Sequence, residues 1–199
     1  MRVMGLDPAL GGGCSLTVCN LTNDKLYVVD NRVDYGLAQV EAIFENVATF
    51  GRRYEPSLLI VEYDAQQKGI GNDDRLAALG ALLGFAIRPH LTRNTKHQDP
   101  VFGLASMNQT FIKKEISIPW GDEESKRRME NLVTQLRSWR PDIPTKKLRQ
   151  DAVMSLWFVW RYWMQIRKQH ETVPQAQWRP SWVREHSHAR PTVARVGAR

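Results

Sequence analysis

Arg2-Val3-Met4-Gly5-Leu6-Asp7-Pro8, the glycines Gly11-Gly12-Gly13 and the run Cys14–Asn20 form the stretch around which the rest of the chain is organised. Arg2–Leu6 is a short β-type run that stops at a turn signal, Asp7-Pro8. The glycines turn the chain into Cys14–Asn20, where Ser, Thr and apolar residues mix as in a strand. Thr22-Asn23-Asp24 makes a second turn into Lys25–Asp30. Turns this short cannot build a parallel crossover, so three antiparallel strands are predicted. Leu37, Val40, Ile43, Phe44 and Val47 then recur at helical spacing, and the pattern stops near Gly51. Ser57-Leu58-Leu59-Ile60-Val61 is an unbroken apolar run, the mark of a strand covered on both faces, and it ends in Glu62.

Further along, Asn72-Asp73-Asp74 caps a second helix through Leu83, with Gly84 as its stop, and Phe85–Pro89 reads as a fifth strand. Asp99-Pro100 resembles an N-cap and first helical residue, opening a segment to Lys113. Ile116–Pro119 follows, then a charged amphipathic helix over Asp122–Ser138, a Pro-containing linker over Trp139–Thr145, and a long apolar helix over Lys146–Gln169. The expected architecture is α/β: a mixed five-stranded sheet, strands 1–3 antiparallel and strands 4–5 parallel, flanked by helices. A right-handed crossover would set strand four beside strand one. Residues 1–169 make one domain; 170–199 lack periodicity and read as a basic, mobile tail.

Composition narrows the function classes. The chain has 199 residues, a formal charge of +7 and 42% hydrophobic residues, enough for a real core. No stretch reads as a signal peptide. Val153–Met164 has ten apolar residues in twelve, but a membrane span needs about 20 and Arg161 interrupts this one. Cys14 and Cys19, the only cysteines, make neither a disulfide framework nor a zinc site, which suits a reducing compartment. Residues 1–120 hold 12 Lys+Arg and 13 Asp+Glu, net −1, whereas residues 121–199 hold 16 and 8, net +8. A basic C-terminal third on a neutral body points to a polyanionic partner, most often nucleic acid; a solvated charged tail is the blander explanation.

Three acids fall where one site would need them. Asp7 sits just past the end of strand one and Glu62 just past the end of strand four, and the carboxyl ends of neighbouring parallel strands form the crevice where α/β sheets bind ligands. Asp151, expected about a turn and a half inside the last helix, precedes Ala152-Val153-Met154-Ser155-Leu156-Trp157-Phe158 and cannot face an apolar core unpaired. Three converging carboxylates repel one another, and hard divalent cations remove that conflict. Two such ions stabilise the attacking and leaving oxygens of a phosphoryl displacement, so no Ser, Cys or His nucleophile is required, and the sequence offers no convincing triad. Taken singly, Asp7 is an ordinary turn residue, Glu62 a surface strand end and Asp151 a helix-dipole partner. Asp64 is a weaker supplement, and Asp73 and Asp74 are caps. Trp157, Trp160 and Trp163, at helical spacing among apolar neighbours, belong to the core.

At these residues the sequence resembles the C-terminal nuclease domain of bacteriophage large terminases, which has an RNase H-like fold. The resemblance spans about residues 2–165. It is carried by Val3-Met4-Gly5-Leu6-Asp7-Pro8 with the glycine turn, Leu59-Ile60-Val61-Glu62 with Gly69, Thr95-Lys96, Ile116-Ser117-Ile118-Pro119, and Leu148–Trp157. It implies a metal-dependent endonuclease that cuts concatemeric double-stranded DNA during genome packaging in the host cytoplasm. Asp7, Glu62 and Asp151 would be its catalytic, metal-binding acids, holding two Mg²⁺ or Mn²⁺ ions. Relatives often carry an extra Asp or His just before the last acid; here Gln150 stands there, a poorer ligand that weakens the second metal position and favours Mn²⁺. Lys96, with Lys68 and Arg93 behind it, would contact DNA phosphates. His97 is a weak candidate for an outer role. The resemblance also implies an ATPase motor in the same full-length protein, with the portal and the small terminase subunit as further partners. No GxxxxGK(S/T) loop occurs in this chain, so the motor lies elsewhere.

Three other readings compete. A RuvC-type Holliday-junction resolvase shares the Gly-Leu-Asp-Pro opening, but Leu148 occupies the place of its further acid or His. An actin-like ATPase needs two such domains. A non-catalytic DNA-binding or motor-docking module would keep the basic charge and lack cleavage.

Overall fold

The computed structural model describes residues 1–8, 13–36, 39–63, 68–92, 103–139 and 149–172. Strands β1 (Arg2–Pro8), β2 (Gly13–Leu21) and β3 (Leu26–Tyr35) form the expected antiparallel meander, with Asp7 opposite Ser15 and Cys14 opposite Asp34. Thr22 closes the β2–β3 turn by accepting Lys25 N–H at Oγ1 (3.0 Å) and donating from its own amide to Lys25 O (2.9 Å). Helix α1 (Val40–Tyr54) then carries the chain across to β4 (Leu58–Glu62), which lies parallel to β1 with Leu6 opposite Val61. The crossover therefore puts strand four beside strand one, as its hydrophobicity demands: all five residues of β4 are buried. After α2 (Lys68–Gly71) and α3 (Asp74–Leu83), β5 (Ala86–His90) adds a parallel strand beyond β4.

Five strands were expected and six are found. Ile116–Ser117 (β6) pairs parallel with Leu26–Tyr27 of β3, giving the order β5-β4-β1-β2-β3-β6. Two residues are too short to display an alternating pattern, and the pairing is fixed by Leu26 N–H donating to Glu115 O at 2.9 Å.

Other boundaries moved for identifiable reasons. Helix α1 runs past Gly51 to Tyr54. Gly51 is a contact point, not a stop: a Cβ there would lie 2.8 Å from Leu83 Cδ1 and 3.2 Å from Phe85 Cε1. Asp73 caps α3 as expected, accepting Arg75 N–H at 2.9 Å, and Gly84 ends it at φ 77°. Asp99-Pro100 lie outside the described residues; the helix that follows, α4, spans Leu104–Ile112. Asp122 caps α5 (Glu123–Ser138) through Ser125 N–H at 2.9 Å. The last helix, α6, begins at Asp151 and runs to Thr172, so Asp151 is its first residue rather than one buried in its second turn.

The sheet is sandwiched. Met4, Leu6, Leu16, Val18, Leu59 and Val61 pack under α1 and α3, against Ile43, Val47, Phe50 and Leu76. On the opposite face Val3, Cys19, Leu26, Val28 and Ile60 pack under α6, with α4 and α5 beside it. Trp157, Trp160 and Trp163 are at most 1% exposed, so they are core, as their spacing implied. The indole N–H of Trp160 donates to Thr110 Oγ1 (3.0 Å) and that of Trp163 to Thr22 O (2.7 Å), so burying the rings leaves neither N–H unpaired. No helix among the described residues is long and apolar enough to cross a membrane.

Helix α6 lies directly on the central strands because Gly5 has no side chain. A Cβ at Gly5 would stand 2.2 Å from Ser155 O and 2.9 Å from Val159 Cγ2. At this crossing the Ser155 hydroxyl meets Ser15 Oγ (2.8 Å) and Thr17 Oγ1 (2.6 Å), and Asn31 Nδ2 donates to Thr17 Oγ1 (2.8 Å). Four buried polar side chains thus hydrogen-bond to one another between sheet and helix. Such directional contacts fix the helix in rotation and translation, which apolar packing alone does loosely.

Candidate active site

Alternation along the strands decides which side chains share a face. Gly5 lies under α6, so Asp7, two residues on, projects to the same side. In β4, Leu58 and Ile60 belong to the core beneath α6, which puts Glu62 on that side as well. Since Leu6 is opposite Val61, the two acids stand next to each other at the carboxyl ends of parallel neighbours. Each is only 6% exposed. The backbone matches the expectation that they stand at the carboxyl ends of neighbouring parallel strands, and the shared face follows from the register.

Asp151 reaches this end from above. Its carboxylate rests against the backbone of Gly13: a Cβ built there would lie 2.2 Å from Asp151 Oδ2 and 3.0 Å from Tyr35 Cε1. The last glycine of the turn is therefore a cradle for an acid, which a turn-based reading misses. Gly13 immediately precedes Cys14, the partner of Pro8, so Asp151 stands over β2 diagonally from Asp7.

The start of α6 is held from outside. Gln135 of α5, 5% exposed, accepts the Ala152 N–H at Oε1 (2.8 Å), and its Nε2 donates to the Tyr35 hydroxyl (3.4 Å). One of the helix's open N-terminal amides is thus satisfied by a side chain 17 positions earlier in sequence, and Gln150 O accepts Met154 N–H at 2.8 Å. Nothing local in sequence signals Gln135, because the contact exists only once α5 and α6 pack.

Burial among acids sets the electrostatics of this end of the sheet. Burial, and then the charges of Asp7, Asp34 and Asp151, push the Cys14 thiol up to about 12. Cys14 stays protonated and is no nucleophile. Burial likewise holds the Asp151 carboxyl above the usual range, partly offset by a backbone hydrogen bond and the Arg149 charge. Gln150 Oε1 is buried without a hydrogen-bond partner among the described residues. Three acids and an orphaned amide oxygen are hard oxygen donors, and that donor set suits Mg²⁺ or Mn²⁺. As the side chains stand, no group of three His, Cys, Asp or Glu among the described residues is arranged to hold an ion. What is fixed is the backbone that presents them.

His90 was not anticipated. It pairs with Glu62 in register at the end of β5, and its ring packs against Trp157 and Phe158, with centroids 5.4 and 5.2 Å away. Burial, then Arg161 and Arg88, lower its pKa to about 4, so the imidazole is neutral near pH 7. The fifth strand's termination on the same edge is the signal that could have found it.

The expected DNA contacts Lys96 and Arg93, and also His97, Asp64 and Leu148, lie outside the described residues. Lys68 opens α2, and its side chain lies outside them too.

No family model and no curated protein matches the sequence. Solved structures do. The large terminase nuclease from thermophilic phage G20c, with bound zinc, superposes with a TM-score of 0.55 at 16% identity, covering 80% of each chain. The human cytomegalovirus terminase nuclease domain, manganese-soaked and inhibitor-bound, gives 0.56 at 12% identity, over 84% of this chain and 85% of that one. The large terminase of another thermophilic bacteriophage gives 0.52 at 14% identity, over 78% of this chain and 38% of that one. The fold of this chain is the RNase H-like fold of terminase nuclease domains.

Proposed function

We propose that this domain is a metal-dependent DNA endonuclease of a viral genome-packaging terminase, cutting concatemeric double-stranded DNA by phosphodiester hydrolysis. The observation that carries the reading is the placement of Asp7 and Glu62, both almost fully buried, on neighbouring parallel strands, with the Asp151 carboxylate against Gly13 of the adjoining strand β2. The fold shared with terminase nuclease domains supports it.

In this reading Asp7, Glu62 and Asp151 hold two divalent cations, Mg²⁺ or Mn²⁺, with Gln150 Oε1 as a neutral supplement. Bound there, the ions would supply an activated water and charge neutralisation at the phosphate. The chain's own part is positional. The β1–β4 pairing sets two carboxylates side by side, the hydroxyl cluster under Ser155 fixes the helix, and Gln135 fixes its first turn. Gly13 leaves the room that Asp151 occupies. The neutral Cys14 thiol and His90 imidazole add no charge at pH 7. Duplex DNA is the substrate, an ATPase motor of the same full-length protein delivers it, and the portal and small terminase subunit are further partners in the host cytoplasm. Incubating the chain with Mn²⁺ and equal amounts of linear duplex and four-way junction tests the assignment. Cleavage of both without preference is expected, whereas selective cutting of the junction would assign it to the resolvases.

A further inference from the structure

The Tyr35 ring at the end of β3 is 45% exposed, an unusual placement for a large aromatic at the edge of a buried acidic site. Arg149, two residues before Asp151, stacks on it with its guanidinium carbon 4.6 Å from the ring centroid. The ring is itself held: its hydroxyl accepts from Gln135 Nε2 at 3.4 Å, and its edge borders Gly13, where the Asp151 carboxylate rests. Arg149 is exposed, and among the described residues it makes no hydrogen bond or ion pair. It differs in this from Arg32, Arg75 and Arg167, each engaged by a carboxylate at 2.6 to 3.0 Å. A guanidinium held over a ring, with no hydrogen bond or ion pair among the described residues, keeps its N–H fork for an incoming anion, and that fork matches phosphate.

The geometry points to Arg149, oriented by Tyr35, as a phosphate contact for duplex DNA at the lip of the acidic site. This rests on the nuclease reading for the identity of the polyanion, and it explains how an end of the sheet lined with carboxylates receives a phosphodiester at all. Arg149 brings a positive charge to this lip two residues before Asp151, and the aromatic platform limits the rotamer freedom lost on binding. Arg149 is a binding residue; Tyr35 is a positioning residue that acts through it.

The test uses the full 199-residue chain and a labelled duplex of about 30 base pairs, with Ca²⁺ in place of Mn²⁺ and anisotropy read across a salt series. Removing one phosphate contact, Arg149→Gln is expected to weaken binding roughly five- to tenfold at about 0.1 M salt and to reduce the salt slope by about one. Arg149→Lys should restore the slope but only part of the affinity, because the charge returns without the planar stack. Tyr35→Leu should weaken binding in the wild type and add little in the Arg149→Gln background, while melting temperatures of the Arg149 variants stay at the wild-type value. An unchanged isotherm and slope for Arg149→Gln would overturn the inference, as would a wild type that binds no duplex, or weaker binding with an undiminished slope. The two readings fail separately. A chain that grips DNA through Arg149 but never cuts it refutes the nuclease alone. A chain that cuts, with Arg149→Gln bound as tightly as wild type, refutes the contact alone.

Discussion

Asp151 carries the tension of the site in a single residue. Its folded pKa is raised, chiefly by burial, above the unfolded value of about 3.9. Between those two values the native chain binds more protons than the unfolded one, so this group's contribution to stability falls as pH rises through the window, and the full penalty is present above it. Asp151→Asn removes the penalty. In the metal-free chain at pH 7 it is expected to melt higher than wild type, while at pH near 3.5 the two converge; calorimetry at both values checks this. A ligand that binds only the native state raises stability in proportion to its occupancy, so Mn²⁺ should raise the melting temperature of wild type and leave that of Asp151→Asn nearly unmoved. A variant that is more stable and inert is the expected sign of a residue placed for function at the expense of the fold.

At the level of elements, the position of α6 decides whether the acids meet. The helix touches the sheet most closely at Gly5, where a methyl group would collide with backbone oxygen rather than with a side chain that could swing away. Gly5→Ala should therefore cost about 2–3 kcal/mol or more of stability in denaturant titrations and displace Asp151 along with the helix. Gln135→Leu keeps the volume but leaves the Ala152 N–H without its acceptor, at a cost of about 1–2 kcal/mol. Its informative readout is the Mn²⁺ midpoint, which should rise several-fold, with partial rescue by Gln135→Glu, where an acceptor returns. Much of this scale was legible in the sequence. Ser57–Val61 read as a strand covered on both faces, and a right-handed crossover was expected to set it beside Arg2–Leu6, where β4 lies. The beginning of α6 was not legible, because an apolar run marks the body of a helix and its start is set here by a residue from another helix. β6 escaped because its two residues are defined by pairing with Leu26 and Tyr27 rather than by any pattern of their own.

For the whole molecule, the placement of Asp7 and Glu62 could be read from the sequence because each closes an apolar strand run, whereas Asp151 was expected inside its helix and stands at its first position. His90, Gln135, Tyr35 and the role of Gly13 could not, since each depends on register or packing between segments far apart in the chain. The charge distribution fits the same picture: residues 1–120, net −1, supply Asp7 and Glu62, while residues 121–199, net +8, supply Asp151 and Arg149. The acidic edge would thus draw on both segments, and the grip on DNA on the basic one. The decisive measurement is supercoiled-plasmid cleavage in Mn²⁺ by the wild type and by Asp7→Asn, Glu62→Gln and Asp151→Asn. Wild type should nick and linearise the plasmid, EDTA should stop it, and each substitution should lower the rate by at least about a hundredfold, since on the proposed assignment all three acids would hold the same ions. Cleavage that persists at the wild-type rate in any one of the three variants, or a wild type that leaves the plasmid intact, would contradict the assignment of this acidic edge as a nuclease centre.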